Sequence, residues 1–333
     1  MPFSMQKQSS RNLVISPNSQ IAYGGVLADL NLTTRQRADT STGFSPKPTN
    51  RTDKMMIGKG SEWATDDQIT SWDVDGTIKS EADIFLLGWM LAFIFGQEVV
   101  TGAGPYNHAF TLPSVTSTMP CTTIYVEETA AVHRKVQDMS AKAFSLSVPE
   151  RGALNCSLDM VGTGRWTPGS MAALPALVQA IYLLGSDMQV TITPTAGVAV
   201  PFVGRQKGLT LKVERGTMPF QSSGDGLYAA SNVSGDGKFS VDLTIAANAV
   251  DDVNGWFEAG TRCAVTIATN PANTYQVGFT FPSVRIKANK LANASGTVTW
   301  ALSWDETTTV SVGGASAISA FVLNNTTAYL IPA

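Results

Sequence analysis

Between residues 144 and 160 apolar and polar side chains alternate almost without fault. Phe144, Leu146 and Val148 are separated by Ser145 and Ser147, the chain turns at Pro149-Glu150-Arg151-Gly152, and Leu154, Cys156, Leu158 and Met160 are separated by Asn155, Ser157 and Asp159. A helix scatters such residues round its circumference, whereas a strand sends alternate side chains to opposite faces. The stretch is therefore an antiparallel hairpin with one wet face and one core face. The same period runs from Trp72, Val74 and Ile78 against Asp73, Asp75, Thr77 and Lys79, and further strands are expected at 108–112, 122–126, 189–193, 209–213, 239–245 and 297–304. The chain is mainly β.

The period changes once decisively. Asp83 can cap a helix through Phe85, Leu86, Trp89, Met90 and Phe93 that stops at Gly96. This segment, IFLLGWMLAFIF, is shorter than the ~20 residues that cross a bilayer, and Asp83 and Glu98 bracket it, so no membrane partner is expected. Being apolar nearly all round, it must be covered on more than one side, as a contact element between layers or subunits. A second helical pattern, Val250, Val253 and Phe257, closes at Gly260. Ile84, Phe85, Trp89, Phe93, Val250, Val253 and Phe257 are the candidate assembly contacts.

The second half repeats the first. The Asp-Gly step ending at Gly76 recurs at Gly237, 161 residues on; the helix-closing Gly96 recurs as Gly260, 164 on; and YNHAFTLPSV, with Phe110, recurs as YQVGFTFPSV, with Phe279, 169 on. Three landmarks in order with a slowly growing gap point to duplication. A length of 333 residues accommodates two such units. The expected organisation is an N-terminal arm (1–20), a first domain (21–165), a linker (166–188), a second domain (189–305) and a C-terminal arm (306–333). Residues 31–60, rich in Ser, Thr, Asn and Pro, are expected to be a long loop carrying Arg35, Arg37, Lys47, Arg51 and Lys54.

Charged residues make up 15% of the chain and the net charge is −3, which excludes a basic field that grips nucleic acid but suits a surface that buries itself against copies of itself. Cys121, Cys156 and Cys263 are odd in number and far apart, so they read as buried small hydrophobes rather than a disulfide framework or metal site. Met1 to Arg11 is polar and lacks the apolar run of a secretory signal, so the protein is expected to stay in the cytoplasm until it assembles. Catalysis needs groups that converge on one pocket. His108 lies in a strand pattern, His133 precedes Arg134-Lys135 in what is expected to be a polar loop, and neither belongs to a catalytic motif. Gly102-Ala103-Gly104 and Gly162-Thr163-Gly164 lack the third glycine of a dinucleotide loop, and the loops ending at Gly226 and Gly237 lack the spaced carboxylates of a calcium site. No catalytic, metal or cofactor residues are expected, and the chain reads as a structural protein rather than an enzyme.

The order of these features, best over residues 60–165, resembles the tail tube, or major tail, proteins of long-tailed phages with flexible tails. The carrying stretches are the polar strand ending in Asp75-Gly76, the apolar helix ending at Gly96, the HAFTLPS strand, RKVQDMSAKAFSLSVP and the return strand LNCSLDMVGTG. The resemblance implies two tandem β-sandwich domains closing toward barrels, each with a flanking helix, in a virion protein whose rings stack into a hollow tube. It implies itself as main partner, in a trimeric ring of pseudo-sixfold symmetry or a hexamer, with tape-measure and tail-terminator proteins as further partners and DNA as non-specific cargo. The basic loop and the terminal arms are expected to touch the next ring. A head or decoration protein, or a receptor-binding fibre module, shares the β-rich composition and stays open at this point; against the fibre module, Trp300 and Trp304 fall on the apolar side of a strand and Trp89 in a buried helix pattern.

Overall fold

A computed structural model describes residues 12–36, 43–52, 67–112, 119–129, 132–248, 253–294, 297–314 and 316–330. In chain order the strands of the first half are β1 (Asn12–Ile15), β2 (Thr34–Gln36), β3 (Gly43–Thr52), β4 (Asp67–Glu81), β5 (Gln97–Thr101), β6 (Tyr106–Thr111), β7 (Thr122–Thr129), β8 (Val132–Pro149), β9 (Asn155–Gly162) and β10 (Trp166–Pro168), with helix α1 (Ile84–Phe95) between β4 and β5. Those of the second half are β11 (Met188–Pro194), β12 (Val200–Pro201), β13 (Gln206–Glu214), β14 (Met218–Phe220), β15 (Ser231–Val233), β16 (Lys238–Ala246), β17 (Arg262–Thr269), β18 (Gln276–Arg285), β19 (Ala288–Ala294), β20 (Thr297–Asp305) and β21 (Ser319–Asn324), with helix α2 (Val253–Glu258) between β16 and β17. The protein is mostly β, and its strands pair antiparallel throughout the described ladders.

The alternation read from sequence sets the layers. β4, β9, β8, β13, β16 and β20 send their apolar residues to one side: Val74, Ile78, Leu158, Phe144, Leu146, Leu211, Val241 and Leu302 are all buried. They meet a second sheet of order β12-β11-β17-β18-β21-β6-β5. Phe281 of β18 touches both Phe239 of β16 and Trp304 of β20, with ring centroids 5.6 and 5.5 Å apart, so the sheets face each other across one apolar core. Helix α1 is enclosed in that same core. The Asp83 carboxylate accepts the Leu86 N–H at 3.3 Å, and the helix ends at Gly96 with φ 77°, a left-handed turn that glycine adopts without a Cβ clash.

Within the first sheet two runs of four strands share one order. β3-β4-β9-β8 in the first half and β13-β16-β20-β19 in the second are built from the same sequence of parts: two adjacent strands, a helix, a hairpin given to the opposite sheet (β5–β6, β17–β18), and a closing hairpin (β8–β9, β19–β20). The runs are joined edge to edge, because the second half of β8 pairs with β13 from Ala143–Glu214 to Pro149–Gly208. One sheet and one core thus cross the boundary expected between two domains.

Several expected segments differ for identifiable reasons. The loop at 31–60 contains β2 and β3; β3 leaves residues 47–50 exposed as an edge strand, so it lacks the apolar alternation that marks a strand. The N-terminal arm contains β1, buried between β2 and β7. The C-terminal arm contains β21, an interior strand between β18 and β6, whose Ala320 and Val322 continue the core period. The linker at 166–188 is strapped along the first half: Ile84 N–H donates to Ile181 O at 3.0 Å and Leu183 N–H to Ala82 O at 3.2 Å.

Candidate functional site

The surface of the large sheet is its solvent face and its edge strands. On the face, alternation leaves small hydroxyls and charges of both signs. Ser145 and Ser157 meet Oγ to Oγ at 2.8 Å, Thr77 donates to Asp159 at 2.6 Å, and Lys47 binds Asp75 at 2.7 Å. Two shallow depressions lie on this face. One is lined by Lys47, Asp75, Lys142 and Asp159, and the other by Lys212, Glu214, Lys238 and Asp305. Lysine and carboxylate alternate in both, so neither is a field of one sign.

The eight-strand run β3-β4-β9-β8-β13-β16-β20-β19 ends at β3, paired only with β4, and β19, paired only with β20, among the described residues; β2 and β10 are further edge strands of the same sheet, on branches from β8. The flanks at the ends of the run are not finished like the interior. In β8 Phe144, Leu146 and Val148 are at most 1% exposed, whereas Leu291 of β19 is 61% exposed and Val298 of the adjoining β20 is 45% exposed. A second apolar patch, Met218, Phe220, Leu227 and Val233, lies on the β14–β15 excursion.

The predicted contact residues divide. Ile84, Trp89 and Phe93 are buried by the chain's own strands, chiefly β8, β21 and β6, so a contact through α1 is confined to the part-exposed Phe85, whose ring meets Tyr275 at 6.1 Å. In α2, Val253 is buried and Phe257 is 36% exposed, while Val250 lies outside the described residues. Arg35 belongs to β2 and donates twice to Asn12 Oδ1, at 3.0 and 2.6 Å. Lys47 belongs to β3, Arg51 is described only as backbone of β3, and Arg37 and Lys54 lie outside the described residues.

Buried polar groups serve cohesion. Asp138, on β8 with φ 58°, is fully buried and accepts from Gln20 Nε2 and Gly24 N at 2.9 Å, Thr163 Oγ1 at 2.5 Å and Arg165 Nη1 at 3.1 Å. Glu98 accepts the backbone N–H groups of Tyr329 and Leu330 at 2.9 Å and meets His108 Nδ1 at 2.7 Å, which pins the C-terminal segment across α1. His133 is in β8, opposite Glu127, rather than in a loop. Burial pushes the thiols of Cys121 and Cys156 up to about 12 and that of Cys263 to about 11, so these cysteines are packing groups and not nucleophiles. Asp225 turns back on Ser222, accepting from its N–H and Oγ, as turn chemistry requires. Among the described residues no group of three His, Cys, Asp or Glu could hold a metal ion, and no helix is long and apolar enough to cross a membrane.

The family described as phage tail tube protein matches residues 58–323, which take in both four-strand runs apart from β3. The chain belongs to that family. As a tail tube protein it is a structural component of the phage virion, of a family that self-assembles into a tube and is not enzymatic. No curated protein matches this tail tube sequence. The edge finish of β19 was missed by sequence reasoning. Its signal was present in Leu291 and Val298, apolar residues beside a strand end, but only the structure shows that they stay exposed among the described residues.

Proposed function

We propose that this protein is the repeating subunit of the tail tube of a long-tailed phage: three copies close a ring, rings stack, and DNA passes through the lumen into the host. The observation that carries this reading is the repetition of β3-β4-β9-β8 as β13-β16-β20-β19, joined edge to edge. A strand run made of two equal units with a free edge at each end reads as two steps of a cyclic repeat, and a ring is the closed arrangement in which both end edges find a partner. On this reading the chain is a duplicated tube domain and three chains supply six units, in preference to a hexamer.

The polar face fits a lumen. DNA moving through a channel slows at each Lys or Arg that holds a phosphate, and here the lysines of the face are interleaved with Asp and Glu. The remaining partners follow from the tube: a tape-measure protein in the lumen during assembly in the host cytoplasm, and a terminator at its end. The test is electron microscopy of particles with labelled chain. Repeating density along the whole tail is expected; label confined to the head shell or the fibre tips would refute the reading.

A further inference from the structure

Along β13 the core side of the strand is taken by Leu209, Leu211 and Val213, and the next residue in that period is Arg215, 1% exposed. A guanidinium keeps its charge and, once out of water, needs acceptors for its N–H groups. Arg215 finds few. Its Nη2 makes long contacts of 3.4 Å with Met119 Sδ and Ser234 Oγ, its Nε is buried without an acceptor, and among the described residues no carboxylate pairs with it. Burial pulls its pKa below the usual guanidinium value.

A second orphan lies close by. Asn232, also 1% exposed, donates from Nδ2 to Asp138 O at 2.8 Å and to Ser140 Oγ and Val161 O at 3.1 Å, and its Oδ1 is buried with no donor. The two residues share a neighbour: the Tyr23 hydroxyl lies 3.0 Å from Met119 O and 3.3 Å from Asn232 O, while Met119 Sδ touches Arg215. Arg215 stands where the chain leaves the large sheet for the β14–β15 excursion, and Asn232 and Ser234 stand on the leg that returns to β16. Between the legs glycine faces glycine, since a Cβ on Gly216 would lie 3.6 Å from Gly235 Cα. Gly216 is exposed and Ser234 and Gly235 are half-buried, so the corner opens to solvent on that side.

We infer that the base of this excursion is a binding site for a small oxyanion of the phosphate class, whose oxygens accept from the Arg215 guanidinium and the Ser234 hydroxyl and whose own hydroxyl donates to Asn232 Oδ1. Inorganic phosphate at neutral pH carries both the charge and the O–H that the two orphans call for, whereas sulfate offers acceptors alone. A phosphodiester in duplex DNA has no O–H and is held in a backbone too bulky for a corner in which Arg215 is 1% exposed. A bound anion ties the outgoing leg to the returning one and steadies the excursion that carries the exposed Met218, Phe220 and Leu227. The inference does not depend on how copies assemble.

The test melts the purified full chain in chloride and in inorganic phosphate at matched ionic strength and neutral pH, followed by circular dichroism. A saturable rise in Tm of roughly 3 to 6 °C is expected at about a hundredfold excess over half-saturation, together with slower chymotrypsin cleavage after Phe220 and Tyr228. Sulfate is expected to need about tenfold more for half-saturation, the loss of one hydrogen bond. Arg215→Met, which removes an unpaired buried charge, should melt no lower than the parent in chloride and lose the phosphate response. Arg215→Lys keeps the charge without the fork and should raise half-saturation by about tenfold, and with Ser234→Ala it carries the test if the Met variant does not fold. A parent that melts alike in phosphate and chloride, an Arg215 variant that responds like the parent, or a shift given by duplex DNA and not by phosphate overturns the site. Sulfate as effective as phosphate overturns the contact to Asn232.

Discussion

Replacing Asp138 by Ala is expected to destabilise the protein by about 5 kcal/mol. The carboxylate accepts four hydrogen bonds from groups on two separate segments: Gln20 and Gly24 before β2, and Thr163 and Arg165 after β9. At roughly 1 kcal/mol for each donor left without an acceptor, the loss comes to about 4 kcal/mol. The backbone, with φ 58°, adds about 1 kcal/mol of strain for Ala. Asp138→Gly relieves that strain but offers no acceptor and costs more unfolded-state entropy, so it should fall within about 1 kcal/mol of Ala. Asp138→Asn keeps one acceptor oxygen and should lose only about 2 kcal/mol. Urea unfolding followed by circular dichroism measures all three. A loss under about 1 kcal/mol for Asp138→Ala, or an Asn variant as weak as Ala, would refute the view that this carboxylate ties the segments together.

Leu146 and Leu211 face each other across the β8–β13 joint, and each Leu→Ala change should cost about 3 kcal/mol and shift one common transition; two separate unfolding steps would mean that the halves fold apart. At Gly278 a Cβ would lie 2.2 Å from Phe321 Cε1 and 2.8 Å from Ala268 Cβ, so Gly278→Ala should cost about 2 kcal/mol by thermal denaturation. The buried thiols and Tyr329 have folded pKa values raised above their ordinary values of 9.0 and 10.0, to about 11 to 12. Their contribution is complete below pH 9 and is lost as pH rises toward 12, so stability should fall over that window; a flat profile would contradict it. At pH 8 a thiol reagent should leave all three cysteines unmodified until the chain is unfolded.

What was legible in the sequence was whatever repeats locally. The hairpin at 144–160 and helix α1 with its Asp83 cap and Gly96 stop follow from periodicity and capping alone. The recurrence of Gly76, Gly96 and Phe110 as Gly237, Gly260 and Phe279 anticipated the matching strand orders. Pairings between distant segments leave no local mark, so the β8–β13 joint and the place of β21 between β18 and β6 could not be read. β3, with two prolines and an exposed edge, reads as loop because its strand character comes from β4 and not from its own composition. The all-round apolar character of α1 announced a helix covered on more than one side, between layers or subunits; sheets of its own chain supply that cover and leave Phe85 part-exposed, a choice that periodicity alone does not make.

A cross-section of the tail tube by cryo-electron microscopy, with chains counted per ring, bears on all of this at once. Three chains per ring, each supplying the eight-strand run β3-β4-β9-β8-β13-β16-β20-β19 to the wall with its Ser- and Thr-bearing face toward the channel, is the predicted result. Six chains per ring, or a wall in which β3 and β19 remain unpaired, would contradict it.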